Sequence, residues 1–357
     1  MKILIFALSG IGDALMFTPS IKFLREAYPD AQIDALVMFS GVRDIYKRNK
    51  YLNNVHYFDF LKEGAVKSFF YLLKFRGKYD VSINVYPSNR KEYNLFSFFV
   101  GAKKRAAVDY LRKNRENLAS LNNVKVQEDD CLHNVEENIR LCEKLTGKKC
   151  SEIPPLEFFL EQEDTDFAED YLRRLDIKDS DLVIGFHPGS ATLKNHINRR
   201  WEPEKFSLLG RRLIDEMGAK VMLFGGPEEK ELRDKVVSGI GSSNAIAVEA
   251  KSLAASAAVM KRCNLFVSND SSLMHVASAL RLSVIAVIGP TNPAYIYPWK
   301  TDHKIVSLNL PCAPCFYYSP KPLICYRTDV QFKCVREIGV DMVMQAVGEM
   351  MDSKRQI

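Results

Sequence analysis

The stretch CNLFVSNDSSLMHVASAL, residues 263–280, decides the fold. Its pattern predicts a short buried strand over 265–267, a polar turn over 268–272 and a helix opening near Leu273. A strand that ends in small polar residues and feeds a helix points free backbone N–H groups at whatever lies above the turn, with the helix dipole behind them. Asp270 and Ser271 are placed to cap that helix, and His275 lies one turn inside it, where a core histidine is the plainer reading than a catalytic one. A second turn of this kind opens the chain, carrying Ser9, Gly10, Gly12 and Asp13. Two such turns predict an α/β protein of two similar domains facing each other across a cleft.

The rest of the chain repeats the rhythm. Residues 2–7 are almost wholly apolar, as a central parallel strand buried on both faces requires. A helix over 14–28 and a strand over 32–38 follow, which implies a right-handed crossover and a parallel sheet. A strand over 80–86 and a helix over 133–145 complete the first domain, and Ile153-Pro-Pro-Leu156 marks the exit. In the second half, strands over 182–186, 220–224, 245–248, 265–267 and 284–288 alternate with helices. Four of them run into polar loops: His187-Pro-Gly-Ser190, Gly225-Gly-Pro-Glu-Glu229, the 268–272 turn and Gly289-Pro-Thr-Asn292. In open α/β sheets ligands collect beyond the carboxyl ends of the strands, so these loops mark a binding edge. The expected division is 1–160, 161–335 and a final helical segment, 336–357, returning to the first domain.

Bulk composition narrows the function. No apolar run approaches the roughly 18 residues that span a bilayer. The apolar N-terminus runs into Gly10-Ile-Gly-Asp13 without a small-residue cleavage site, so it reads as a first strand and the protein as cytoplasmic. Residues 1–150 hold 25 Lys/Arg against 17 Asp/Glu, whereas the remainder is slightly acidic. Clusters fall at Lys47-Arg48-Asn49-Lys50, Lys103-Lys104-Arg105 and Arg112-Lys113-Asn114-Arg115. They read either as solvated surface or as the footprint of a phosphate- or carboxylate-bearing partner. Nucleic acid is a poor candidate, because no recognition motif accompanies the charge. Of eight cysteines, Cys312, Cys315, Cys325 and Cys334 fall in one loop-rich segment as C-x2-C-x9-C-x8-C. That spacing is compatible with a structural zinc or iron and equally with free thiols.

Gly10-Ile-Gly12 lacks the third glycine of a dinucleotide fingerprint, and no P-loop motif is present, which argues against NAD and ATP chemistry. Asp13 reads either as a helix cap or as a carboxylate placed to take a proton from a bound hydroxyl. Lys194, Arg199 and Arg200 fall in a ligand-edge segment and suit a diphosphate, which guanidinium groups grip bidentately. Glu228 or Glu229 reads as an acceptor for ribose hydroxyls or as an ordinary acid at a helix start.

Taken in order, Ser9-Gly-Ile-Gly-Asp13 with Pro19, His187-Pro-Gly-Ser190, Arg199-Arg-Trp201, Gly225-Gly-Pro227 and Ser268-Asn-Asp-Ser-Ser-Leu-Met-His275 resemble glycosyltransferase family 9. Its best-known members are the ADP-heptose:lipopolysaccharide heptosyltransferases. The resemblance runs through most of the chain and implies a GT-B architecture of two Rossmann-like domains. The first domain would hold the acceptor, with Ser9, Gly10 and Gly12 in its loop, and the second the nucleotide-sugar donor. It implies inverting transfer with no metal required, with Asp13 as general base. Ser190, Lys194, Arg199, Arg200, Asp270, Ser271, Ser272, Leu273, Met274 and His275 would then surround the donor, with Glu229 or Glu228 on the ribose. Two positions depart from the family pattern: Arg199 stands where many members have lysine, and Ser272 where they often have glycine. The basic first half suits an anionic glycolipid acceptor such as a lipopolysaccharide core, with peripheral contact at the inner membrane face. A different nucleotide sugar, a hexose or N-acetylhexosamine, would suit the same fold, as would a non-catalytic nucleotide-sugar-binding protein.

Overall fold

The structure, a computed structural model, describes residues 1–112, 115–317 and 322–355. The chain divides between Phe159 and Leu160 into two compact units. The first holds a parallel sheet of β1 (Lys2–Ala7), β2 (Gln32–Val37), β3 (Asn54–Tyr57), β4 (Val81–Asn84), β5 (Lys104–Asp109) and β6 (Val124–Gln127) in the order β3-β2-β1-β4-β5-β6. The central strand β1 buries Ile3 to Ala7 on both faces, which is why its sequence shows no alternation. The helix expected over 14–28 is two, Ile11–Met16 and Thr18–Ala27, which meet at Phe17 with Pro19 in the first turn of the second. A proline lacks the N–H that a continuous helix would use there, so it starts a new one.

The second unit repeats the topology. Strands β7 (Val183–His187), β8 (Lys220–Leu223), β9 (Ala245–Ala247), β10 (Leu265–Asn269), β11 (Ser283–Val287) and β12 (His303–Val306) form a parallel sheet ordered β12-β11-β10-β7-β8-β9. Its core gathers Phe186, Trp201, Phe206, Val267 and Ile285. The last helix, Val340–Arg355, adds Val343, Ala346, Val347 and Met350 to this same core and packs on β11, β12 and helix Pro203–Met217. The expectation that it returns to the first domain is therefore corrected: its apolar face is spent in the second unit. No helix among the described residues is long and apolar enough to cross a membrane.

Candidate functional site

Each sheet reverses its strand order once, and the crevice at such a reversal is where open α/β sheets bind ligands. In the first unit the reversal lies between β1 and β4. There the Ser9 hydroxyl donates to the Pro87 carbonyl at 2.7 Å, tying the loop after β1 to the loop after β4. Asp13 sits in the first turn of helix Ile11–Met16, and the Gly10 N–H donates to its Oδ2 at 3.1 Å. The capping reading of Asp13 is thus realised in geometry, and its side chain remains only partly buried. Three tyrosines feel its charge. Burial first, and Asp13 after it, pushes the Tyr46 hydroxyl far above its ordinary range. Burial drives Tyr93 to about 12, with Arg90 opposing and Asp13 adding. Tyr110 is raised by burial, against the Ser88 N–H and with smaller contributions from Glu128 and Asp13. All three therefore stay neutral.

In the second unit the reversal lies between β7 and β10, and a buried polar network bridges it. His187, the last residue of β7, places Nδ1 2.7 Å from the Ser271 hydroxyl and Nε2 3.0 Å from Glu229 Oε2. Ser271 Oγ also meets Ser268 Oγ at 3.0 Å. Ser271 precedes helix Ser272–Ala279, yet its hydroxyl makes no cap bond to that helix. The first-turn N–H groups of a helix have no intrahelical partners, so this terminus keeps the character of an anion site. Asn269 donates to the Pro188 and Gly189 carbonyls at 2.8 and 3.3 Å and accepts from the Trp201 N–H at 2.9 Å. Buried Trp201 also donates from its indole to the Ile338 carbonyl at 2.9 Å. It anchors the 3-10 segment Leu193–Arg199, inside which Lys194 and Asn195 take left-handed backbone angles.

The two arginines are each matched to a buried carboxylate. Arg199 Nη1 lies 2.6 Å from Asp270 Oδ2, which also accepts from the Thr291 hydroxyl at 2.6 Å. Arg199 Nε is buried without a partner among the described residues. Arg200 Nη2 donates to the Ser190 carbonyl at 2.6 Å and reaches Glu229 Oε1 at 3.5 Å. Burial would push the Glu229 carboxyl up, but His187, the Gly226 N–H and Arg200 together outweigh it and hold it below the usual carboxylate range. His196 falls to about 4, through burial first and Arg199 second, so it is a neutral acceptor beside Arg199.

The structure separates the two glutamates that sequence left paired. Glu229 is buried against His187, Arg200 and Gly226, whereas Glu228 is exposed, its carboxylate folded over Gly226. Ser190, Lys194, Arg199, Arg200, Glu229, Asp270 and Ser271 come together around the carboxyl ends of β7 and β10, with Ser272 and Leu273 opening the helix. The Met274 and His275 side chains are buried beneath this turn, so only their backbone groups lie at the helix start. Burial lowers His275 to about 4, and its Nδ1 has no partner among the described residues. His187, Asn269 and Thr291 were missed as site residues. Each stood in a quoted loop, but none belongs to a motif whose spacing declares a role.

Outside the site, the thiols of Cys312, Cys325 and Cys315 lie close enough to influence one another and Cys334. Among the described residues, however, no three His, Cys, Asp or Glu side chains converge to hold a metal ion. Cys325 Sγ instead accepts from the Phe332 N–H at 3.2 Å, and Cys312 Sγ from Arg327 at 3.5 Å. In the basic clusters, Arg105 is bound to the Leu121 and Ala102 carbonyls and Arg112 pairs with Asp130. Lys113 and Asn114 lie outside the described residues.

The model of glycosyltransferase family 9 (heptosyltransferase) matches residues 74–323, and the chain belongs to that family. It is a glycosyltransferase. It is 25% identical over 320 residues to lipopolysaccharide heptosyltransferase 2 of Escherichia coli (strain K12), covering 86% of this chain and 88% of that one. Against lipooligosaccharide heptosyltransferase 2 of Haemophilus influenzae the identity is 27% over 328 residues, covering 86% and 89%. The fold is that of the E. coli ADP-heptose lipopolysaccharide heptosyltransferase II, with TM-score 0.73 at 20% identity over 99% of this chain and 100% of the other. The family 9 glycosyltransferase of Veillonella parvula gives TM-score 0.75 at 20% identity, over 99% and 97%. The two Rossmann-like units expected from the sequence, each built on a parallel sheet, are both observed.

Proposed function

We propose that this protein moves a heptose from ADP-heptose to a hydroxyl of a lipopolysaccharide core or a related anionic glycolipid, with inversion at the anomeric carbon and no catalytic metal. The observation that carries the reading is the uncapped start of helix Ser272–Ala279, set beside Arg199 and Arg200 at the strand-order reversal of the second unit. A diphosphate is the ligand such a terminus suits best. Lys194 and the remaining guanidinium N–H groups add positive charge, and exposed Glu228 is the carboxylate available to ribose hydroxyls. The names of the relatives, which are heptosyltransferases, favour a heptose over other sugars.

In the transfer, the acceptor O–H gives its proton to the Asp13 carboxylate as the oxygen forms its bond to the anomeric carbon. The bond from that carbon to the diphosphate breaks with its electron pair, and ADP leaves. A carboxylate of ordinary basicity suffices, because the hydroxyl becomes acidic only as its oxygen bonds to carbon. The helix terminus stabilises the charge that grows on the leaving diphosphate. The basic first unit suits an acceptor presented at an anionic membrane face.

Calorimetry against ADP-, UDP- and GDP-sugars, with NAD as control, tests the donor. Selective binding of ADP-heptose is expected, and preference for another nucleotide sugar overturns the heptose while leaving the chemistry. Asp13→Asn should keep donor affinity and lose about 10²–10⁴-fold in turnover. Unchanged turnover would remove Asp13 as base. Full activity in EDTA is expected of a metal-independent reaction. We further propose that Cys312, Cys315, Cys325 and Cys334, which fall in one segment as C-x2-C-x9-C-x8-C, hold a structural zinc or iron. Metal content of the purified protein that falls when Cys315 and Cys325 become serine is the expected result; metal-free protein of full stability refutes it.

A further inference from the structure

Two helices of the first unit expose large apolar side chains beside their charged ones, and bury polar residues along with Leu72, Tyr93 and Val100. Helix Phe60–Leu73 is broken by Gly64, whose backbone is non-helical at φ 75° and ψ 172°. It packs against helix Lys91–Val100. The side chains these helices bury include Ser68, Asn94 and Ser97, each satisfied: Ser68 donates to the Gly64 carbonyl at 2.6 Å, Ser97 meets Ser82 at 2.7 Å, and Asn94 donates to the Asn117 carbonyl at 2.7 Å. The side chains they expose are Val66 (71%), Phe70 (63%), Leu61, Phe69, Leu95 and Phe98. A surface helix of a water-soluble protein ordinarily keeps apolar side chains of that size on its covered face. Between the two helices lies an apolar groove of about 480 Å³, lined by Phe60, Phe69, Leu72, Tyr93, Phe96 and Phe99.

Cations frame this face. Arg76 stands over the Phe99 ring at 5.2 Å, Arg105 over Phe98 at 5.6 Å and Lys74 over Tyr71 at 5.0 Å. Lys62 and Lys67 are exposed on the first helix. Residues 60–105 carry ten Lys/Arg against three Asp/Glu, and one of those acids, Glu63, is paired with Lys67 at 2.8 Å. Exposed aromatic and aliphatic side chains of this extent mark an interaction surface. Aromatics ringed by basic residues are the composition that settles into the boundary layer of a bilayer bearing anionic headgroups. A second copy of the chain is a poor occupant, because it would bring the same positive rim against this one.

We propose that the face made by helices Phe60–Leu73 and Lys91–Val100 seats the protein on an anionic lipid bilayer. Val66, Phe69, Phe70, Leu95 and Phe98 enter the boundary layer, and Lys62, Lys67, Lys74 and Arg76 meet lipid phosphates. This deepens the membrane contact put forward above by naming its surface. It does not depend on the identity of the donor sugar, because its test reads lipid binding alone.

The test is flotation of the full chain with phosphatidylcholine vesicles, with and without phosphatidylglycerol. The protein should float with the anionic vesicles, less so as salt rises, and not with phosphatidylcholine alone. The double variant Val66→Glu, Phe70→Glu changes only exposed positions and should bind about tenfold more weakly, with ADP-heptose affinity unchanged. In a separate Phe70→Trp variant, indole emission should shift to the blue on adding anionic vesicles. Absence of vesicle binding, equal binding by the charged double variant, or no emission shift would each overturn the proposal. So would a dimer of the wild-type chain that the double variant abolishes, since the face would then belong to copies of the chain.

Discussion

The Glu229 carboxylate fills the space that a side chain on Gly189 would need: a β-carbon there would fall 1.8 Å from Glu229 Oε1. The contact is with a carboxylate already held by His187 and Arg200, not with a side chain that can swing aside. Gly189→Ala must therefore expel Glu229 from its pocket. The expected loss is about 1–3 kcal/mol of stability, the usual cost of overpacking, together with weaker donor binding. Calorimetric unfolding and donor titration of the variant check both.

The helical Gly348 is the counterpart. An added β-carbon there meets nothing within 4 Å, and the residue lies inside helix Val340–Arg355. Gly348→Ala should stabilise the protein by about 0.5–1 kcal/mol through helix propensity alone. A melting temperature that fails to rise would show that this helix is not formed as described.

Arg199 and Asp270 form an ion pair with both side chains nearly buried. Removing one partner of such a pair costs about 3–5 kcal/mol, because the other charge is stranded. Arg199→Ala should fall at the lower end, since Thr291 still donates to Asp270. Arg199→Lys should recover part of the stability but only one point of contact, so donor affinity should recover less than melting temperature does. A double-mutant cycle with Asp270→Asn measures the pairing directly. Additivity of the two single effects would show that the pair is not energetically coupled.

Two carboxylates give pH dependence of opposite sign. Glu229 is held below its ordinary range, so in the unfolded chain it takes up a proton at higher pH than in the folded one. The stability it supplies is full above the unfolded glutamate value of about 4.5 and is lost as pH falls through its folded value. Glu137 is the reverse: burial first, opposed by the Asp129 N–H and Arg140, raises it to about 7. Between pH about 4.5 and 7 the folded chain binds the extra proton, so stability declines as pH rises through that window, by on the order of 3 kcal/mol. Urea midpoints across pH should fall in that interval for the wild type and flatten in Glu137→Gln. An unchanged slope in the variant would refute the assignment.

Much of the architecture was legible in the sequence, and the parts that were not share physical reasons. Fully buried strands such as β1, β7, β10 and β11 announce themselves as apolar runs, because both faces are covered by helices. Strands β3, β6 and β12 lie at sheet edges and are half exposed or mixed in character, so their runs are weak. Helix Phe60–Leu73 has no polar stripe and carries Gly64 in its interior, which removes both the periodicity and the propensity that would reveal it. The site was legible as loops: the four polar segments do lie at the carboxyl ends of adjacent strands β8, β7, β10 and β11. The pairings were not. Nothing in the spacing of His187, Glu229 and Ser271 tells that one imidazole joins the other two, because that contact is made by the strand order and not by sequence distance.

The Ser271 hydroxyl is hydrogen-bonded with His187 and Ser268 rather than with an N–H of the helix that begins beside it. That helix is left without the stabilisation of about 1 kcal/mol that a capping side chain ordinarily supplies. At the donor site proposed above, an anion seated at its start would take over the capping role that Ser271 leaves open. The amides of Leu273 and Met274 should accordingly exchange with solvent fastest in the ligand-free protein and slow when the site fills. The hydroxyl that would cap the helix is engaged with the imidazole instead, and the diphosphate proposed above is the group suited to stand in for it.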